Sequence, residues 1–242
     1  MKLIDLSVYF EDNPMAENFP IKIEFFPHEN MAKQMAERLG ISITAFRDGM
    51  CMSHEDVTGQ LHAGTHVDAP FHYGPICEGK PARTIDELPL EWFYQDGVRL
   101  DLRHIEDRTE ITKQDIIDAL DKIGYILKPL DIVLLWTGYD EHIYSPKYLK
   151  DQPGMSREAT EYLIDQGIKV IGIDCFGFDR SFSCMAECYK QGTLKEMFPA
   201  HMVGRDKEYA HIEKLGNLGA IPCDYGFKVA CFPTKVRGGT AG

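Results

Sequence analysis

Apolar residues recur at helical spacing in three stretches of the chain. The run 29–39 sets Met31, Met35, Ala36 and Leu39 on one face, and the next residue, Gly40, suits the left-handed turn that closes a helix. Thr112, with Asp115 three positions on, forms a capping box ahead of Ile116, Ile117, Leu120 and Ile123, and Gly124 ends that run. Ser156 is placed to cap a third helix through Ala159, Tyr162 and Leu163 to Gly167. Short apolar runs at 132–136, 170–173 and 228–232 predict strands. The alternation of helix and strand in the middle third predicts an α/β domain. Residues 10–27, rich in aromatics and carrying Pro14, Pro20 and Pro27, read as an ordered loop or edge segment. The glycine-rich stretch 238–242 reads as a flexible tail. With no repeat, Ser/Gly linker or long charge block, the 242 residues are expected to form one domain, 1–242.

Composition narrows the partners. Apolar residues at 44% and charged residues at 26% are those of a soluble globular protein. Lys and Arg number 26 against 38 Asp and Glu, a formal charge of −12, which would repel nucleic acid and anionic membranes. The longest apolar run, 132–136, is far too short for a membrane span, and Asp5 interrupts the start before a signal-peptide core can build. Seven cysteines without a CxxC pair read as reduced thiols, and the expected compartment is the cytoplasm. Cys184 and Cys188, four apart, can share a helix face; inert thiols are expected there rather than a soft-metal pair.

The chemistry concentrates in one segment, Leu61-His62-Ala63-Gly64-Thr65-His66-Val67-Asp68-Ala69-Pro70-Phe71-His72. In an extended strand alternate side chains share a face, so His62, Gly64, His66 and Asp68 are expected to point one way. A helix would turn Asp68 about 200° from His66, and the Gly-Thr and Ala-Pro pairs disfavour one. Ala63 after His62 excludes the helical H-E-x-x-H signature. Two imidazoles and a carboxylate, with further positions open, suit a catalytic zinc or manganese ion. The second oxygen of Asp68 leaves room for another ion. Pro70 breaks the strand and is expected to bring His72 to the lip of the site, where an imidazole can move protons.

The pattern H-x-G-T-H-x-D-x-P-x-H resembles the signature of the cyclase-type metal-dependent hydrolases, the family of bacterial kynurenine formamidase and isatin hydrolase. The resemblance extends to Asp5-Leu6-Ser7, Thr137-Gly138, Pro153-Gly154 and Gly172-Ile173-Asp174. It implies a β/β/α layered, swivelling-type α/β fold with a mixed sheet. It also implies His201 and Glu213, the latter in Glu213-Lys214-Leu215-Gly216-Asn217-Leu218, as ligands of a second ion bridged by Asp68. From the residues alone His201 reads more readily as a helix-end or core histidine, and His211, with the strand parity of Glu213, is a rival ligand; the family spacing to Glu213 favours His201.

The expected activity is hydrolysis of an amide, lactam, lactone or ester bond in a small cyclic or aryl molecule. Water activated by the metal would attack, with His72 as general acid and base. A cyclase or lyase acting on a carbonyl substrate, or a non-catalytic metal-stabilised binding protein, are the alternatives. A nucleophilic serine is disfavoured because no G-x-S-x-G elbow is present. The resemblance further implies a homodimer or homotetramer; the loop around Phe19 to Phe26 is the element expected to be exchanged. Substrate does not transfer from the formamidases: the first tryptophan here is Trp92, the loop before it is phenylalanine-rich, and Cys175-Phe176-Gly177-Phe178-Asp179 departs from the family pattern.

Overall fold

A computed structural model describes residues 2–242. The chain divides into two compact units, a smaller one of Glu11–Pro14 and Asn18–Gln60 and a larger one of the remaining segments. In the smaller unit β1 (Lys22–Phe26) and β2 (His54–Thr58) form an antiparallel ribbon, with Ile23 opposite Val57. The segment read as loop or edge therefore ends in a paired strand. Between the two strands lies α1 (His28–Leu39), closed by Gly40 in the left-handed region. Its buried residues are Ala32 and Ala36, while Leu39 is exposed, so the packed face is narrower than the apolar spacing predicts.

The larger unit begins its elements with β3 (His66–Asp68), the helical turn α2 (Pro70–Tyr73), the short pair β4 (Ile76–Cys77) and β5 (Lys80–Pro81), and β6 (Tyr94–Asp101). Next come β7 (Glu110–Ile111), α3 (Lys113–Ile123), β8 (Ile132–Trp136), α4 (Lys147–Lys150), β9 (Gly154–Met155) and α5 (Arg157–Asp165). The series closes with β10 (Val170–Ile173), α6 (Phe182–Lys190), α7 (Pro199–Asp206), β11 (Ala210–Glu213) and β12 (Tyr225–Ala230). Six strands form one sheet in the order β12-β6-β8-β10-β11-β3. The inner four run parallel, and β12 and β3 flank them antiparallel, which is the mixed α/β sheet expected.

Continuous apolar runs make the inner strands because both sheet faces are covered. Val133, Leu135, Ile171 and Ile173 pack with α3 and α5 residues such as Ile116 and Leu163, while Ile132, Leu134, Val170 and Ile212 pack with Trp92 and Phe93. The predicted caps form: Thr112 Oγ1 accepts from Asp115 N at 3.2 Å while Asp115 Oδ2 accepts from Thr112 N at 2.7 Å, and Ser156 Oγ accepts from Ala159 N at 3.1 Å. The last strand lies earlier than 228–232, because pairing with β6 from Tyr94 to Val98 sets its register.

One expectation is overturned outright. The stretch 238–242 is no loose tail: Gly242 exchanges backbone hydrogen bonds with Val67, Ala69 N donates to Thr240 O at 2.9 Å, and Ala241 bridges Asp68 and is fully buried. β3 would otherwise present an open sheet edge, and the glycine-rich segment supplies its missing partner. No helix among the described residues is long and apolar enough to cross a membrane. All seven cysteines are free, and none joins a metal-binding group among the described residues.

Candidate metal centre

Register builds the centre. β3 and β11 pair so that Asp68 faces His211 and His66 faces Glu213. Residues two apart on a strand share a face, so four polar side chains meet on one side of the sheet. Their backbones are those of buried strands, and the opposite parity carries Val67 and Ile212 into the apolar layer.

Asp68 is the hub. His211 Nε2 lies 3.2 Å from its Oδ2, and His66 Nε2 lies 3.3 Å from its Oδ1. His62 Nδ1 lies 2.8 Å from Oδ1, His72 Nε2 3.6 Å from Oδ2 and His201 Nε2 4.0 Å from Oδ2. Glu213 completes the ring: its Oε1 is 3.2 Å from His211 Nε2 and 3.5 Å from His201 Nε2, and its Oε2 is 3.7 Å from His66 Nε2. All six sequence-predicted site residues are thus drawn together.

Two details differ from the expectations. His62 is not on the strand, because Gly64, at φ +62°, turns the chain before His66. A left-handed residue there is natural only for glycine. His62 reaches Asp68 from this turn, which Lys214 clamps by donating from Nζ to His62 O at 3.0 Å and to Glu17 Oε2 at 2.6 Å. The second difference concerns His201 and His211, which are not alternatives. Both face Asp68 and Glu213, one from α7 and one from β11. His72, on α2, sits at the lip as expected, with its side chain 33% exposed against 2% for His66.

The imidazoles are oriented from behind. His66 Nδ1 contacts Gly64 O at 2.9 Å and His201 Nδ1 contacts Asp179 Oδ2 at 2.5 Å, which leaves each Nε2 lone pair aimed at the hub. Asp179 also accepts from Ala200 N at 2.8 Å and His201 N at 3.1 Å, so one carboxylate caps α7 and aims its histidine. His211 lies between the rings of Phe178, stacked at 4.3 Å, and Tyr73, at 5.2 Å. Its Nδ1 meets the hydroxyls of Tyr73 at 3.1 Å and Tyr209 at 3.3 Å. Asp179, Tyr73, Tyr209, Lys214 and Thr240, whose Oγ1 lies 3.0 Å from His62 Nε2, escape a sequence reading because each acts across the fold. The one signal is that Asp179 lies in the stretch departing from the family pattern.

A cation fits what these residues lack. Both oxygens of Asp68 and the Nε2 atoms of His66 and His211 are buried without a hydrogen-bond partner. A buried carboxylate among neutral imidazoles costs several kcal/mol unless a cation or proton offsets it. Two ligand groups share Asp68: His62, Asp68 and His72 form one, and Asp68, His201, His211 and Glu213 the other. Burial pushes Asp68 up, but the surrounding His66, His211 and His62 outweigh it and hold the carboxyl well below its usual range. Burial likewise opposes the outcome at Glu213, which His211 holds down to about 2, and at His211, which Asp68 and Glu213 raise to about 9. Burial and the nearby His62 and His201 charges lower His72 to about 4 against the pull of Asp68.

Comparison with known proteins places the chain in a family and a fold. The family described as "Putative cyclase" matches residues 4–180. Kynurenine formamidase of Erythrobacter litoralis (strain HTCC2594) is 23% identical over 134 residues, 55% of this chain and 54% of that protein. The match therefore spans about half the length of that curated relative. Isatin hydrolase A from Labrenzia aggregata, solved with benzyl benzoate, superposes with a TM-score of 0.73 at 22% identity, covering 98% of this chain and 89% of that one. A predicted metal-dependent hydrolase from Bacillus stearothermophilus superposes with a TM-score of 0.64 at 23% identity, covering 99% and 94%. These structures share the fold.

Proposed function

The chain belongs to the cyclase family, and from that membership we propose that it is a metal-dependent hydrolase opening an amide, lactam, lactone or ester bond of a small cyclic or aryl molecule. The observation that carries this reading is Asp68, a fully buried carboxylate with a nitrogen of each of five imidazoles within 4.0 Å of its oxygens. His62 and Asp68, with His66 in place of the rim residue His72, would hold one divalent ion, and Asp68, His201, His211 and Glu213 a second. Zinc or manganese bound there supplies a Lewis acid that acidifies water and polarises the scissile carbonyl.

The chain's own residues do the rest. His72, the imidazole at the rim, takes a proton at Nε2 from the attacking water and returns it to the leaving nitrogen or oxygen. Lowered to about 4, mainly by burial, His72 is neutral near pH 7, with the Nε2 lone pair unprotonated. Phe178 and Tyr73 exclude water from both faces of His211, and Asp179 prevents His201 from turning away. The names of the relatives, a formamidase and isatin hydrolases, support an acyl–nitrogen bond as the substrate class.

Elemental analysis of protein purified without added metal, then assay on formamides, lactams and lactones, tests the proposal. We expect bound zinc or manganese and turnover with incorporation of labelled water into product. Product without solvent oxygen would assign the cyclase or lyase reaction instead. His72→Ala should keep its metal and lose about a hundredfold or more in turnover, and Asp68→Ala should lose both. We also propose a homodimer or homotetramer, for which the exposed Phe19, Phe25, Met52 and Val57 of the smaller unit speak. A solution mass at the 27.5 kDa of one chain would refute it.

A further inference from the structure

We propose that Thr240, on the strap 238–242 along the free edge of β3, is a positioning residue that sets the affinity of the cation position His62 shares with Asp68. The inference rests on the reading of this cluster as a metal centre. His66, His201 and His211 are each tied down through Nδ1 by a group of the fold and present Nε2 to the hub. His62 is reversed: Nδ1 lies 2.8 Å from Asp68 Oδ1, and Nε2 points away to Thr240 Oγ1 at 3.0 Å.

His62 also has the least help from its backbone. It stands on a turn outside any strand, and its side chain is 26% exposed. Lys214 fixes its carbonyl but not its ring. The ring's outer nitrogen is therefore set by one hydroxyl. Threonine suits that place because a hydroxyl both donates and accepts. When Nδ1 offers its lone pair to a cation, the ring proton must sit on Nε2, and Thr240 Oγ1 can receive it. Thr240 is in turn held to the ligand strand by Ala69 N to its carbonyl, by the Ala241–Asp68 bridge and by the paired Val67 and Gly242. Strap and hub share one hydrogen-bond ladder, so the hydroxyl is delivered to the ring with little freedom.

The experiment is calorimetric titration of the chelator-stripped full chain with Zn²⁺ and, separately, Mn²⁺. It is run on the unmutated protein and on Thr240→Val, Thr240→Ser and His62→Ala. Thr240→Val should weaken by about tenfold or more the binding step that His62→Ala removes, and leave any other step within twofold. Thr240→Ser should restore it. An unchanged isotherm for Thr240→Val, or a loss that serine does not restore, overturns the inference and leaves the metal centre standing. An unmutated chain that takes up no ion sinks both. Long-range ¹H–¹⁵N spectra of the unmutated, zinc-loaded chain provide a check independent of any variant's folding. His62 should carry its ring proton on Nε2, whereas His66 and His201 carry theirs on Nδ1; a His62 proton on Nδ1 overturns the inference.

Discussion

Two fully buried aspartates hold their protons with opposite strength because their neighbours differ. Imidazoles surround Asp68 and keep it ionised. Asp174 is pushed up to about 7 by burial, aided by the nearby Asp140, although Thr137 N and Oγ1 and Gly138 N all donate to it. Its folded-state proton affinity exceeds the ordinary carboxyl value of 3.8, so the stability this group contributes is present at low pH and lost as pH rises through 7. The unfolding free energy should therefore carry a falling component between about pH 4 and 7, absent in Asp174→Asn, with a carboxyl ¹³C resonance titrating near 7 in the folded protein. Asp179 has a different task, and Asp179→Ala should cost about 1 kcal/mol by uncapping α7. The same change should weaken the ion position of His201 about tenfold, as read by metal titration. His62, His66, Asp68 and His72 were legible because their spacing is itself the signal. Asp179 was not, since it meets His201 across 22 positions in sequence.

At the scale of elements, α7 comes closest to α2 at a glycine. A Cβ at Gly204 would fall 1.9 Å from Tyr73 Cδ2. In an ordinary helix interior alanine is favoured over glycine by about 1 kcal/mol. Here the ring decides the sign, and Gly204→Ala should destabilise the chain by about 1–3 kcal/mol in denaturant unfolding, since the backbone must shift to make room. Tyr73 would also be displaced from His211 Nδ1, so metal affinity should drop with stability. A Gly204→Ala protein as stable as the parent would show that the helices do not need this close approach. Helices α3 and α5 could be read from the chain because a capping box or serine cap and apolar spacing are local properties. The length of β3 could not, because Gly64 alone does not say which way the chain turns; the turn is held by Lys214, far along the sequence.

For the molecule as a whole, both apolar layers of the sheet close without any ligand side chain, so the fold is expected to survive removal of an ion. Chelation should leave far-UV dichroism unchanged and lower the melting temperature. Restoring a divalent ion at a hundred times its Kd should add about 2.7 kcal/mol of stability per site. Loss of secondary structure on chelation would instead mark a structural metal. The sequence by itself determined the α/β class, the capped helices, the buried inner strands and the histidine–aspartate group, because periodicity and short spacing act over a few residues. Only the tertiary structure decided that His201 and His211 act together, that His62 comes from a turn, and that the glycine-rich segment 238–242 completes the edge of β3. Those outcomes depend on strand register and on hydrogen bonds between residues more than a hundred positions apart, which no local pattern encodes.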